Sequence, residues 1–273
     1  GRRILTVELK NKLGKEILFF DGAMGTMLQK KGLKLGKMPE DLNIDNPEII
    51  EEIHSLYVNA GADIITANTF GANELKLEHS EYSQEEIISS AIRLAKKSNP
   101  NGYTALDIGP IGQLLEPLGT LKFEEAYEIF KKQIIIGEKS GADLILIETM
   151  VDIYEAKAAI LAAKENSSLP VICTMTFQED KRTLTGTSIL GAVTILESLG
   201  VDALGVNCSL GPKELIPIVE EILSYTKLPV IVQPNAGLPK MENGKTVFDL
   251  SVAEYTQIMK EFAEKGVSIL GGC

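Results

Sequence analysis

Two cysteines at the ends of short apolar segments are the residues best suited to chemistry. Cys208 closes the run Ala-Leu-Gly-Val-Asn at 203–207, and Cys273 follows Gly271 and Gly272. Thiolates are nucleophiles and soft metal ligands. Two of them sharing one ion, with a coordination position left open, would make a site where a zinc ion could receive a substrate. They lie far apart in the chain, so only a fold can bring them together. Free cysteine is also a small buried hydrophobe, and that reading suits Cys173, inside Val171-Ile172-Cys173-Thr174. Cys208 and Cys273 sit at tips rather than in cores, which favours the metal.

Carboxylates accompany them. Glu148 ends the apolar run 144–147, where a carboxylate must be paired or hydrogen-bonded. An amino group on a ligand would serve, and so would a structural lysine or arginine. Asp21 opens Asp-Gly-Ala-Met-Gly-Thr, whose glycines let backbone N–H groups approach a ligand closely or simply turn the chain. Gly271-Gly272 could belong to a phosphate-binding turn, but the adjacent cysteine argues against it, as does the lack of a basic glycine-rich partner loop. His54 and His79 fall in or beside outer helices and are expected to be solvated. No Ser-His-Asp arrangement emerges, and no lysine sits where a Schiff base would need one.

The elements that must position these groups follow from periodicity and punctuation. Apolar runs at 17–20, 63–66, 103–108, 144–148, 170–176, 203–207, 229–233 and 267–270 read as strands. Helices are expected from Pro47 to Gly61, at 84–97, 123–139 and 153–164, up to Leu199, at 212–225 and up to Lys265. The strand cores are continuous apolar runs, as in parallel sheets covered on both faces. A series of eight βα units closes into an α/β (β/α)8 TIM barrel of ~250 residues, with the active site at the C-terminal ends of the strands. A doubly wound open sheet is the runner-up. The polar residues at those ends are Asp21, Thr66, Asn68, Asp107, Glu148, Thr174, Thr176, Asn207, Gln233 and Asn235, with the two cysteines. The long loops after odd-numbered strands are expected to wall the pocket, and the even-numbered tips to carry much of the chemistry.

The chain has 273 residues, 44% of them hydrophobic, with a net charge of −11. No linker divides it, so residues 1–273 read as one domain. An acidic surface repels a phosphate backbone, which excludes general nucleic-acid binding. No apolar run reaches the ~18 residues of a membrane span, and no signal-peptide core precedes the first charges, so the cytoplasm is the expected location. Three cysteines are too few for a disulfide scaffold. The start without Met and the end on Gly-Gly-Cys are expected of a piece cut from a larger modular enzyme.

Taken together, D-G-A-M-G-T (21–26), G-A-D-I-I-T-A-N-T-F (61–70), G-A-D-L-I-L-I-E-T (141–149), G-V-N-C-S-L-G-P (205–212), Q-P-N-A-G-L-P (233–239) and the closing G-G-C are highly specific. Over nearly its whole length the chain resembles the homocysteine-binding barrel of the zinc-dependent homocysteine methyltransferases. Its P-N-A-G-L-P segment is most similar to the N-terminal module of cobalamin-dependent methionine synthase. The resemblance implies that homocysteine is bound and activated as a zinc thiolate for methyl transfer from methylcobalamin on another module, giving methionine. The partners implied are homocysteine and the cobalamin- and folate-binding modules of the same parent protein. Cys208 and Cys273 would be zinc ligands, and Asp21 and Glu148 would hold the amino-acid end of the substrate. Gly22, Ala23, Thr66, Asn68 and Asn207 would line the same pocket. The family pattern carries a further cysteine directly after G-G-C, which this sequence does not include. Betaine- and S-methylmethionine-dependent relatives share the barrel and its cysteines. The alternative from another class is a module that binds homocysteine and zinc without turnover.

Overall fold

The computed structural model describes residues 2–32, 38–207, 210–235, 239–243, 245–248 and 252–272. Its strands are β1 (Leu18–Phe19), β2 (Ile64–Thr66), β3 (Tyr103–Ile108), β4 (Leu144–Met150), β5 (Val171–Met175), β6 (Ala203–Asn207), β7 (Val230–Gln233), β8 (Pro239–Glu242), β9 (Lys245–Phe248) and β10 (Ile269–Leu270). Eight of them form one parallel sheet in the order β1-β10-β7-β6-β5-β4-β3-β2. The remaining seam, between β1 and β2, is closed by the Phe20–Ile64 bridge. The backbone bonds Asp63 N to Phe19 O (2.8 Å) and Asp21 N to Ile64 O (3.1 Å) complete it. The result is the expected (β/α)8 barrel, not an open sheet.

The surrounding helices are α1 (Arg2–Lys12), α2 (Met24–Lys30), α3 (Leu42–Asp45), α4 (Pro47–Asn59), α5 (Gln84–Ser98), α6 (Phe123–Ser140), α7 (Ile153–Asn166), α8 (Ile189–Ser198), α9 (Pro212–Tyr225) and α10 (Val252–Lys265). Their ends follow local chemistry. Ser83 and Glu86 form a reciprocal capping box at the start of α5. Asp152 and Ser188 cap α7 and α8 by accepting from backbone N–H groups. Gly141, at φ 111°, ends α6 in the left-handed conformation that glycine tolerates best. No helix among the described residues is long and apolar enough to cross a membrane.

The core has two shells, and strand alternation separates them. Leu18, Phe20, Ile64, Tyr103, Ala105, Leu144, Leu146, Ile172, Ala203, Ile231 and Ile269 form the inner cluster, joined by the fully buried Leu9 of α1. Their neighbours in sequence, such as Ile65, Leu106, Ile145 and Ile147, pack outward with the helices. α1 therefore closes the N-terminal mouth of the barrel, where Tyr103 also donates to Glu8 (2.6 Å). Continuing the inner parity toward the C-terminal ends gives Thr66, Asp107, Glu148, Thr174, Asn207 and Gln233. The apolar interior thus ends in a polar layer.

The structure departs from the sequence reading in four places. The segment before β1 is helical. The segment between β1 and α4 holds α2, the 3-10 turn Pro39–Asp41 and α3. The stretch between β7 and α10 carries the antiparallel β8–β9 hairpin. His54, expected to be solvated, is fully buried on α4. It lies beside Ile50 and Ile53, and neither ring nitrogen has a hydrogen-bond partner among the described residues. His79 is exposed and Cys173 is buried, as expected.

Candidate active site

The C-terminal ends of the strands surround a cavity of about 290 Å³. Asp21, Gly22, Ala23, Met24 and Gly25 form one wall, Pro39 and Glu40 extend it, and Thr66, Ala67, Asn68 and Phe70 form a second. Asp107, Glu148, Thr149, Gln233 and Gly272 complete the lining. Among these described residues there are four carboxyl groups and no lysine, arginine or histidine.

Asp21 follows β1 and is held by its neighbour across the seam. Thr66 donates from its backbone N to Oδ2 (3.0 Å) and from its hydroxyl to Oδ1 (2.7 Å). Burial pushes the Asp21 carboxyl up to about 7, opposed by the Thr66 bonds and reinforced by the charge of Glu148. Asp107 and Glu148 stand on adjacent strands and share a hydrogen bond, with Asp107 as the donor. Burial and the Glu148 charge hold Asp107 well above the usual carboxylate range. Burial also raises Glu148 to about 7, against the pull of the Asp107 bond. The pair therefore keeps a proton at neutral pH. Asp107 Oδ1 and Gln233 Oε1 are buried and have no partner among the described residues.

The main chain on the β1–β10 side is closely packed because glycine permits it. A Cβ on Gly22 would lie 2.6 Å from the Tyr57 hydroxyl, and one on Gly272 would lie 3.1 Å from Gly22 Cα. Tyr57 donates to the Ala23 carbonyl (3.1 Å) and Tyr255 to the Gly271 carbonyl (3.3 Å). Two aromatic hydroxyls thereby hold the facing turns.

Of the residues expected from sequence, Asp21, Gly22, Ala23, Thr66, Asn68 and Glu148 all line this cavity. Asn68 does so with its amide committed to the Pro39 carbonyl (2.9 Å) and Asn43 Oδ1 (3.0 Å). Asn207 is not part of the lining; its side chain binds Thr149 and Thr174 behind it. Cys208 and Cys273 lie outside the described residues. Their chain neighbours are Asn207, which ends β6, and Gly272, two residues beyond the end of β10 at Leu270; these two strands flank β7, where Asn207 pairs with Gln233 and Leu270 with Val232. Groups of three or more metal-binding side chains are absent among the described residues.

The loops after β3 and β5 do not contribute to the lining, and the odd-numbered tips of β1, β3 and β7 supply Asp21, Asp107 and Gln233. The expected division between odd walls and even chemistry holds in part: the loop after β1 walls the cavity and the even tips supply Thr66 and Glu148, while much of the loop after β7 lies outside the described residues. Asp107 and Gln233 stood among the polar tips but had no assigned role. Inner parity singles them out in the structure, but strand cores that are apolar on both faces leave no such signal in the sequence. Glu40, buried and accepting from Gly71 N (2.7 Å), comes from the 3-10 turn, which has no hydrophobic periodicity to reveal it.

Comparison with known proteins adds the following. The homocysteine S-methyltransferase family model matches residues 18–273. Methionine synthase of Mycobacterium tuberculosis (strain ATCC 25618 / H37Rv) is 30% identical over 293 residues, covering 100% of this chain and 24% of the relative. Methionine synthase of Mycobacterium leprae (strain TN) is 31% identical over 287 residues, covering 97% of this chain and 24% of the relative. The chain thus spans about a quarter of the length of these curated relatives. Among solved structures, the metallated form of the homocysteine methyltransferase MmuM from Escherichia coli has a TM-score of 0.82 at 22% identity, covering 98% of this chain and 94% of that one. The carboxyl transferase domain of Rhizobium etli pyruvate carboxylase, with oxamate and biotin, has a TM-score of 0.59 at 14% identity, covering 99% and 42%. At these identities the structural likeness concerns the fold.

Proposed function

The chain belongs to the homocysteine S-methyltransferase family, and from that premise we propose that its cavity binds homocysteine and presents the sulfur for methylation to methionine. One observation carries this reading. A buried cavity with four carboxyl groups, two unpartnered acceptor atoms and no cationic side chain among its described residues lacks a positive charge. The ammonium group of an amino acid supplies it.

In this reading Glu148 and Asp21 grip the amino-acid end. Thr66 fixes the Asp21 carboxyl in one orientation, and Asp107 holds a proton against Glu148. An arriving ammonium group favours the ionised form of Glu148, so binding draws a proton from the pair. The turns at Gly22 and Gly272 bring main chain close to the ligand and exclude water. A thiol with pKa of ~8.5 is mostly protonated at neutral pH.

Zinc is the metal this reading implies. Cys208 and Cys273 would hold it, since both follow strand ends on the same rim, on either side of β7, and sulfur is a donor zinc favours. The bound ion would supply the positive charge that keeps an incoming thiol ionised. The sulfur then attacks the donor's methyl carbon, forming the S–CH3 bond, while the electron pair of the broken bond stays with the donor. Likeness to methionine synthases and the Q-P-N-A-G-L-P segment support methylcobalamin, carried by another module, as that donor. Cobalamin- and folate-binding modules of the parent protein are the partners this reading implies.

The test is homocysteine binding followed by methyl transfer with free methylcobalamin, betaine and S-methylmethionine in parallel. Methionine formation from methylcobalamin alone is the expected result. Turnover only with another donor reassigns the donor, binding without turnover favours a binding module, and absence of binding overturns the proposal.

A further inference from the structure

We propose that Asn207 is a positioning residue that ties the Glu148-bearing tip of β4 to the Cys208-bearing tip of β6, acting through Thr149; the inference rests on the proposed function above. The geometry begins with a break in the ladder. Ile147 pairs with Cys173 and Met150 with Met175, so Glu148 and Thr149 together face the single residue Thr174. This is a bulge, which leaves one residue outside the regular ladder and re-aims its side chains. Thr149 sits in the bulge at φ 63°, a left-handed conformation that a β-branched residue adopts only under constraint.

Asn207 supplies that constraint. Its Oδ1 accepts from Thr149 N (3.0 Å) and from the Thr174 hydroxyl (2.9 Å), and its Nδ2 donates to Thr149 Oγ1 (2.8 Å). The Thr176 hydroxyl donates to the Asn207 carbonyl (3.2 Å). Only a group offering both an acceptor and a donor makes this set, and Asn207 is buried at 1% exposure. Its backbone is fixed independently by pairing with Gln233. The residues on either side of this clamp are Glu148, proposed to hold the ammonium group, and Cys208, proposed to hold the metal. The clamp therefore fixes the separation between the two ends of the bound amino acid.

A double-mutant cycle on the full chain tests this, using homocysteine titration calorimetry. Asn207→Ala lowers affinity at least tenfold while zinc stoichiometry is unchanged, because the β6 backbone keeps its pairing. Thr149→Gly changes the cavity lining itself and serves as the second background of the cycle, since glycine adopts the left-handed conformation unaided. In the Thr149→Gly background, Asn207→Ala costs less than threefold. Full additivity of the two substitutions, or parent-like affinity of Asn207→Ala, overturns the inference. If Asn207→Ala alone does not fold, the comparison within the Thr149→Gly background decides, and a tenfold loss there overturns it. Amide hydrogen exchange at Thr149 gives a readout free of ligand. It is protected in the parent and at least tenfold faster in Asn207→Ala, and an unchanged rate overturns the inference. A parent protein that binds no homocysteine sinks the proposed function, and the exchange rate still decides the clamp.

Discussion

Between β3 and β7 the barrel strands run four to seven residues, whereas β10, β1 and β2 run two or three. The long arc places Asp107, Asn207 and Gln233 through ladder register, and Glu148 at the bulge that interrupts the β4 ladder. The short arc has little ladder to rely on. It places Asp21, Gly22 and Gly272 through individual bonds and close packing. Asp63 accepts from Phe19 N, Thr66 holds Asp21, and Tyr57 and Tyr255 hold the Ala23 and Gly271 carbonyls. The site thus combines charges fixed by a stiff sheet with main chain fixed by side chains. The two arcs should fail differently when disturbed.

The largest effect is expected in the long arc. A Cβ on Gly205 would lie 1.8 Å from the Ile231 carbonyl oxygen, a backbone atom that cannot swing away. Gly205→Ala should cost about 3 kcal/mol or more, read by denaturant unfolding. Gly22→Ala is the short-arc counterpart. Its Cβ meets the Tyr57 ring, which can rotate at the cost of its bond to Ala23. A loss of about 1–2 kcal/mol is expected, with homocysteine affinity reduced at least tenfold. Equal stability costs for the two substitutions would erase the contrast between the arcs.

Glu148→Gln sharpens the role of the long arc. Loss of a charged partner for the ammonium group should weaken homocysteine binding by about 10- to 100-fold, on the scale of charge-assisted bonds. Because the folded carboxyl holds its proton up to about 7, above its ordinary value of 4.5, the ligand-free protein loses stability as pH rises across that window. Asp21 acts with the same sign. Glu148→Gln should reduce this loss, by up to about 3 kcal/mol for a group shifted that far. A variant with parent-like pH dependence would contradict the buried, shared-proton description.

The smallest effect at neutral pH is expected from His54→Leu. Burial lowers the imidazole from 6.5 to about 4, so the stability it permits is present above 6.5 and lost as pH falls through 4. Its sign is opposite to that of the carboxylates. With no hydrogen-bond partner among the described residues to lose, His54→Leu should change stability by less than about 1 kcal/mol at pH 7. It should also flatten the acid limb between pH 6.5 and 4. Thermal unfolding across that range checks both.

Much of the long arc was legible in the sequence. The bounds of β3, β6 and α9 are those read from it, because glycine, proline and length punctuate these segments. The inward alternation was not legible, since residues on both faces of a barrel strand are apolar until the tip. Asp107 and Glu148 therefore read as separate polar tips, although burial raises both carboxyls and each acts on the other. That coupling depends on β3–β4 register and leaves no local mark. On the short-arc side, α1 was missed because its buried contribution centres on Leu9, among charged neighbours. His54 was expected to be solvated on an outer helix, whereas packing under neighbouring elements buries it fully. The cysteines were legible as motif and resemblance, and their structural placement lies outside the described residues.

The most direct test of the central claim is proton release on ligand binding by the zinc-loaded protein at neutral pH, compared between homocysteine and homoserine. The two share an amino-acid end and differ only in the thiol. Homocysteine should release about one proton more than homoserine, the one that leaves sulfur as it becomes a thiolate. Equal release by the two ligands would show that the thiol is not ionised in this cavity and would contradict the account.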